Sequence, residues 1–168
     1  MVQDSLKREH QLGTIQLDFQ QPRNFGLSYV NEHNAESIPV VIHRAIYGSL
    51  ERFIGILIEH YGGAFPIWLA PVQAKVLSIS EKTAAYAREV YERLLAEGLR
   101  VEVDVRDDKI GAKIRDAQLE KVPYMLVTGA KEAESRAVAV RSREKGDEGP
   151  VPLEEFIARI KAEANFDY

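Results

Sequence analysis

The chain has no cysteine in its 168 residues, so it can build neither a disulfide framework nor a thiolate metal site. It has no apolar run near the ~20 residues that a membrane span needs. Its opening, MVQDSLKREH, is polar and lacks the apolar core of a signal peptide. A cytoplasmic protein with no membrane partner is the expectation. Basic excess is also missing: 22 Lys and Arg stand against 26 Asp and Glu, for a net charge of −4. An indiscriminate nucleic-acid binder is normally basic, so DNA is not an expected partner and any RNA contact must come from a local patch. Internal repeats and low-complexity tracts are absent too. What remains, 45% hydrophobic and 29% charged, suits one ordinary domain with an appendage.

The appendage comes first. Ile15, Leu17 and Phe19 alternate with Thr14, Gln16 and Asp18, as in a half-buried strand. A turn over 20–24, a second strand over 26–30, a polar loop over 31–37 and a third strand over 39–43 are expected to follow. The next segment places Ile46, Leu50, Phe53, Leu57 and Tyr61, with Ile54 and Ile58 beside them, at helical spacing on one broad apolar face. Arg52 stands at the first turn of that helix, where a guanidinium fork is suited to hold phosphate or stack on a base. Three strands and one helix make too small a sheet to cover its own faces. With a boundary near Gly62 and Gly63, residues 1–63 read as a piece of something larger.

Residues 64–168 read as a complete α/β unit. Strands are expected near 68–77, 101–105, 122–127 and 137–141. Helices are expected over 81–97, around Ile110, Ile114 and Ala117, and from Pro152 through Leu153, Phe156, Ile157 and Ile160. A Gly- and acid-rich loop is expected over 145–150. Alternating strands and helices predict a mixed, mostly parallel sheet with helices on both faces. The apolar run VPYMLV suits a buried central strand, and the Val101, Val103, Val105 alternation an edge.

The segment from Ala45 to Gly55, in which a strand leads through small residues to an ER pair and an apolar helix, resembles motif 3 of the class II aminoacyl-tRNA synthetases. GTIQLDF, PVVIHRAIYGSLERFIGILIEHYGGAFPIWLAPVQ, RDDKIGAKIRDAQLEKVPYMLVTG and KEAESRAVAVRSR are, more specifically, similar to the C-terminal part of threonyl-tRNA synthetase, in one register over essentially the whole chain. The resemblance implies the end of an antiparallel α+β catalytic domain followed by an anticodon-binding domain that takes a threonine tRNA as partner.

The resemblance also implies roles. Arg52 matches the motif 3 arginine that holds ATP, and Gln11, Gln16 and Ser49 match residues of the same pocket. His43 matches one of three protein ligands to a catalytic zinc, but the cysteine that would join it cannot exist here, so His43 is expected to be an orphaned ligand. Motifs 1 and 2 are absent, and one arginine without its opposing partner loses most of a triphosphate clamp. ATP and zinc therefore belong to the full-length family enzyme, and none is expected to be bound by this chain alone. Lys7 and His10 depart from the glycine and tryptophan usual in the family. Glu132 and Arg141 match residues that bond the second and third anticodon bases. Asp107 and Lys109 match a neighbouring contact loop in which asparagine is usual at 107. From 100 to 143, ten Lys or Arg stand against eight Asp or Glu, a slight local basic surplus. A second copy of the chain or a complete synthetase are further expected partners, and a split enzyme completed by another polypeptide is the alternative to an RNA-binding module.

Overall fold

The computed structural model describes residues 1–165, which fall into two compact units dividing between Gly62 and Gly63. The first is built from three two-stranded antiparallel ribbons. They pair β1 (Val2–Gln3) with β2 (Glu9–His10), β3 (Thr14–Asp18) with β6 (Val41–Ala45), and β4 (Tyr29–Val30) with β5 (Glu36–Ser37), and a four-residue helix α1 (Gln21–Asn24) lies between β3 and β4. The strand expected over 26–30 is thus reduced to two residues, and the expected loop over 31–37 carries its partner. Local chemistry explains this: Gly26 adopts φ 62°, and the Asn31 side chain accepts from the backbone of His33 and Ala35, closing a tight hairpin. The expected strand over 39–43 begins instead at Val41, past Pro39, which has no N–H to give to a ladder.

Helix α2 (Leu50–Tyr61) starts where Ser49 Oγ accepts from the Arg52 N–H and stops at Gly62, which is left-handed. Its expected broad buried face is not buried. Only Ile56 is, whereas Leu50, Ile54 and Ile58 are exposed, as are Ile15, Leu17 and Ile42 on the ribbon. The unit has strands and a helix but no second layer to receive their apolar sides.

The second unit has that layer. Its sheet order is β11-β10-β9-β7-β8, from β7 (Ala74–Ser78), β8 (Val101–Asp104), β9 (Tyr124–Thr128), β10 (Ala137–Ser142) and β11 (Gly146–Pro152). β7 runs parallel to both β8 and β9, while β9, β10 and β11 pair antiparallel, so the sheet is mixed in equal parts. The strand expected near 68–77 is shorter and begins at Ala74. The expected loop over 145–150 is mostly strand β11, because Gly146 and Gly149 take positive φ and let the chain turn back on β10.

The pleat separates two cores. Ala74, Val76, Tyr124, Leu126, Val138 and Val140 face α3 (Ala84–Ala96) and α6 (Leu153–Ala164), which contribute Val90, Leu94, Phe156 and Ile160. Leu77, Met125 and Val127 face α4 (Ile110–Leu119) through Ala117, Ile110 and Ile114. A short helix, α5 (Ala130–Ser135), which the sequence pattern does not announce, follows β9 directly.

A surface cluster joins the two helices that share a face. Glu97, at the end of α3, accepts from Lys161 at 2.6 Å and from Arg93, which also reaches Glu154. Lys161 and Arg93 pull the Glu97 carboxyl from 4.5 to about 2. A folded value below the unfolded one means that the stabilisation is present above the unfolded value and is lost as pH falls through the folded one. Glu97→Gln is expected to flatten the acid side of the curve of urea midpoint against pH between about 4.5 and 2, leaving the neutral shape unchanged.

Candidate nucleic-acid interface

In an open α/β sheet, ligands gather at the carboxyl ends of parallel strands, where successive connections leave toward opposite faces. Here β7 leads to α3 on one face, β8 leads to α4 on the other, and β9 leads into α5. Side chains tie these three ends together. Thr128 Oγ1 donates to the Leu77 carbonyl at 3.2 Å, and Ser78 Oγ donates to the Asp104 carbonyl at 3.3 Å. Lys113, fully buried in α4, donates to the Ser78 carbonyl at 2.9 Å.

The loop over 105–109 leaves from this edge and carries Asp107 and Lys109, both exposed. It is held by Arg106, whose guanidinium bonds Asp104 at 2.7 Å and Asp116 at 2.9 Å and lies 3.6 Å from Asp108. Hydrogen bonds from Arg106 keep the Asp104 carboxyl below its usual range against the upward push of burial. Lys109 is the N-cap of α4. Glu132 sits in the first turn of α5, and its Oε2 accepts the Gly129 N–H at 2.9 Å. Asp107, Lys109 and Glu132 thus gather at one edge of the sheet.

Arg141 is placed differently. It lies on β10 opposite Met125, two residues further down the ladder than Ala139 opposite Val127, so it stands about 7 Å along the sheet from that pair. It points to the face that α4 covers in part, because Met125 belongs to that core. Its Nη1 donates to Asp147 at 3.1 Å, while its buried Nε has no partner among the described residues. An unpaired buried donor is unfavourable until a guest or water accepts from it.

The residues matched to a catalytic pocket lie in the first unit. Gln16 and His43 are directly opposed on β3 and β6, and His43 Nε2 lies 3.2 Å from Asp18 Oδ2. The backbone N–H groups of Gln21 and Gln20 hold the Asp18 carboxyl below its usual range. Arg52 donates from Nη2 to the Gln11 carbonyl at 2.8 Å, and Ser49 caps the same helix. Zinc requires three or four converging donors. Among the described residues no His, Asp or Glu group meets that need, so zinc does not fit this set. A single guanidinium turned onto a backbone carbonyl does not make a triphosphate clamp either. Of the two departures, His10 is explained by the pairing of its Nε2 with buried Asp4 at 2.9 Å, while Lys7 holds φ 62°, the left-handed conformation that suits a glycine.

Sequence reasoning missed Arg106 and Lys113 as organisers of the edge. The alternation through Val101, Val103 and Val105 puts Asp104 and Arg106 on the face opposite the valines and gives no sign that Asp104 is buried. An acidic residue two positions before an arginine at a strand end was the available signal.

This geometry belongs to a known class. A model of the anticodon binding domain matches residues 70–163, more than half of the chain, and the chain belongs to that family. A model of the class II tRNA synthetase core domain (G, H, P, S and T) matches residues 1–61. Its relatives of known sequence are threonine-tRNA ligases: the chain is 58% identical to one of Acetivibrio thermocellus over 159 residues, covering 95% of this chain and 25% of that protein. One from Caldanaerobacter subterraneus subsp. tengcongensis is 56% identical over 162 residues, 96% of this chain and 25% of that protein. The chain thus spans about a quarter of the length of these relatives. Among solved structures, the RNA binding domain of threonyl-tRNA synthetase from Cryptosporidium parvum superposes with a TM-score of 0.83 at 43% identity, over 98% of this chain and 42% of that one. Prolyl-tRNA synthetase from the same organism shares the fold, with a TM-score of 0.66 at 22% identity over 91% of this chain and 33% of that one.

The start of α5 is crowded enough to test. A Cβ at Gly129 would fall 2.7 Å from Glu132 Oε2 and 2.8 Å from Ile79 Cδ1. Gly129→Ala is expected to dislodge the Glu132 carboxylate and to lower stability by ~1–3 kcal/mol in urea denaturation.

Proposed function

We propose that residues 64–168 bind the anticodon loop of a threonine tRNA, and that residues 1–63 are the motif 3 end of a class II catalytic domain that does not act alone. The observation that carries this reading is the gathering of Asp107, Lys109 and Glu132 on a braced edge of the sheet. Proteins read single-stranded RNA by splaying bases out and bonding their edges, which needs side chains held in fixed directions. Glu132 offers an acceptor fixed by its bond to Gly129, and Arg141 offers a buried unpaired donor. Asp107 can accept but not donate, unlike asparagine. ATP and zinc are assigned to full-length relatives, and the location is taken to be the cytoplasm, where translation uses such a domain.

A tRNA with a threonine anticodon is expected to bind better than the same tRNA with its second and third anticodon bases changed. Arg141→Ala should shrink that preference by ~1–3 kcal/mol, the usual size of one lost base contact. Lys109→Ala should weaken both RNAs alike and reduce the salt dependence by about one charge. Filter binding over a salt series separates the two. Equal binding of both anticodons at every salt concentration would reject the assignment.

A second reading, in which the chain completes a split ligase, is favoured by the bare apolar side of the first unit, where Ile15, Leu17 and Ile42 are each more than half exposed. Such a side fits a partner supplying the rest of a catalytic core, in a complete synthetase or across a homodimer. Under the first reading, the chain by itself shows no threonine-dependent ATP–pyrophosphate exchange above background when freed of host synthetase. Activity that appears on adding a polypeptide with motifs 1 and 2 would favour the split ligase.

A further inference from the structure

We propose that Lys113 is a positioning residue for base recognition: its buried ammonium fixes the ends of β7 and β8 and so aims the loop that carries Asp107 and Lys109. This rests on the anticodon-binding reading above. The lysine side chain has no exposed surface, and its Nζ lies 3.9 Å from Asp104 Oδ1. Its Nζ donates to the Ser78 carbonyl at 2.9 Å, to Ser78 Oγ at 3.2 Å and to the Asp104 carbonyl at 3.4 Å, which engages all three ammonium protons. Burying an ammonium is costly, and an apolar side chain of similar length would commonly give equal or greater stability. Stability alone therefore does not account for a lysine here.

What the ammonium adds is direction. Ser78 and Asp104 are the last residues of two adjacent parallel strands, and one cation holds both of their carbonyls. Asp104 in turn binds Arg106 through its carboxylate, and Arg106 reaches Asp116 and Asp108. At the other end of the loop, the Lys113 N–H donates to the Lys109 carbonyl at 3.3 Å. The loop is thus anchored at both ends by the same residue, through its side chain before 105 and through its backbone at 109. A binding loop fixed in advance loses less freedom when a base docks, and its contacts discriminate better.

The test uses the whole chain with the matched and altered-anticodon tRNAs. Lys113→Met keeps length and volume while removing the charge. It is expected to cut the preference for the threonine anticodon about tenfold, within the range for one lost base contact. The salt dependence should stay unchanged, because Lys113 is too deep to touch phosphate. Hydrogen exchange should rise over 105–109 and not over β9 and β10. Should Lys113→Met fail to fold, Arg106→Gln breaks the next link at the surface and is expected to give the same loss of preference. Full preference retained in a folded Lys113→Met protein, or in Arg106→Gln if the first does not fold, overturns the positioning role alone. No preference in the unaltered chain overturns base reading itself, and this inference with it.

Discussion

Strand β7 is buried along its whole length, from Ala74 to Ser78, and among the described residues is the one strand with a parallel neighbour on each side. That constraint organises the second unit. A strand covered on both faces needs helices on both, and parallel neighbours need crossovers that carry those helices. α3 and α4 therefore take opposite faces, and the β8 and β9 exits fall at the same edge as that of β7. The edge where Asp107, Lys109 and Glu132 gather follows from this winding, before any side chain is chosen for recognition.

The first unit shows what the lack of such a strand does. Its ribbons are antiparallel and short, its helix α2 has one buried residue, and most of its large apolar side chains face outward. Its polar organisation is nevertheless well defined: Asp4 accepts from the backbone of Leu6 and Arg8 and pairs with both Arg8 and His10, so the stretch from Asp4 to His10 is fixed around one buried carboxylate. Order and burial are separate properties here. The turn that holds Lys7 left-handed is sustained by this carboxylate and not by an apolar core.

Much of the second unit is legible in the sequence, because its periodicities are long and agree with its punctuation. VPYMLV predicts a central strand, and Gly98, at φ 78°, ends α3 as its position suggests. The parts that are not legible depend on tertiary partners. β11 looks like a loop because Gly and acidic residues are poor strand formers, yet β10 offers it a ladder. Lys113 looks like a surface charge in an amphipathic helix, yet two carbonyls at the strand ends take it inward. The broad face of α2 is misread for the opposite reason: helical spacing reports the side that could be buried, and not whether the chain contains anything to bury it against. Among the site residues, Lys109 is easy to place just before an expected helix, whereas Glu132 sits in a helix that the pattern does not announce. The offset of Arg141 down β10 follows from a register that no local pattern encodes.

The bond from the Gly129 amide to Glu132 makes one carboxylate oxygen part of the helix start, and the other has no part in that bond. The two oxygens share one delocalised charge, so a donor arriving at the second draws density from the first and slackens its hold on the amide. Any donor bound at the second oxygen is thereby coupled to fraying of α5 through a single functional group. A guest rich in acceptors finds nothing to donate to it and meets the full repulsion of a fixed negative charge. The carboxylate thus screens by exclusion as well as by attraction, and its direction is set in advance by the protein's own backbone.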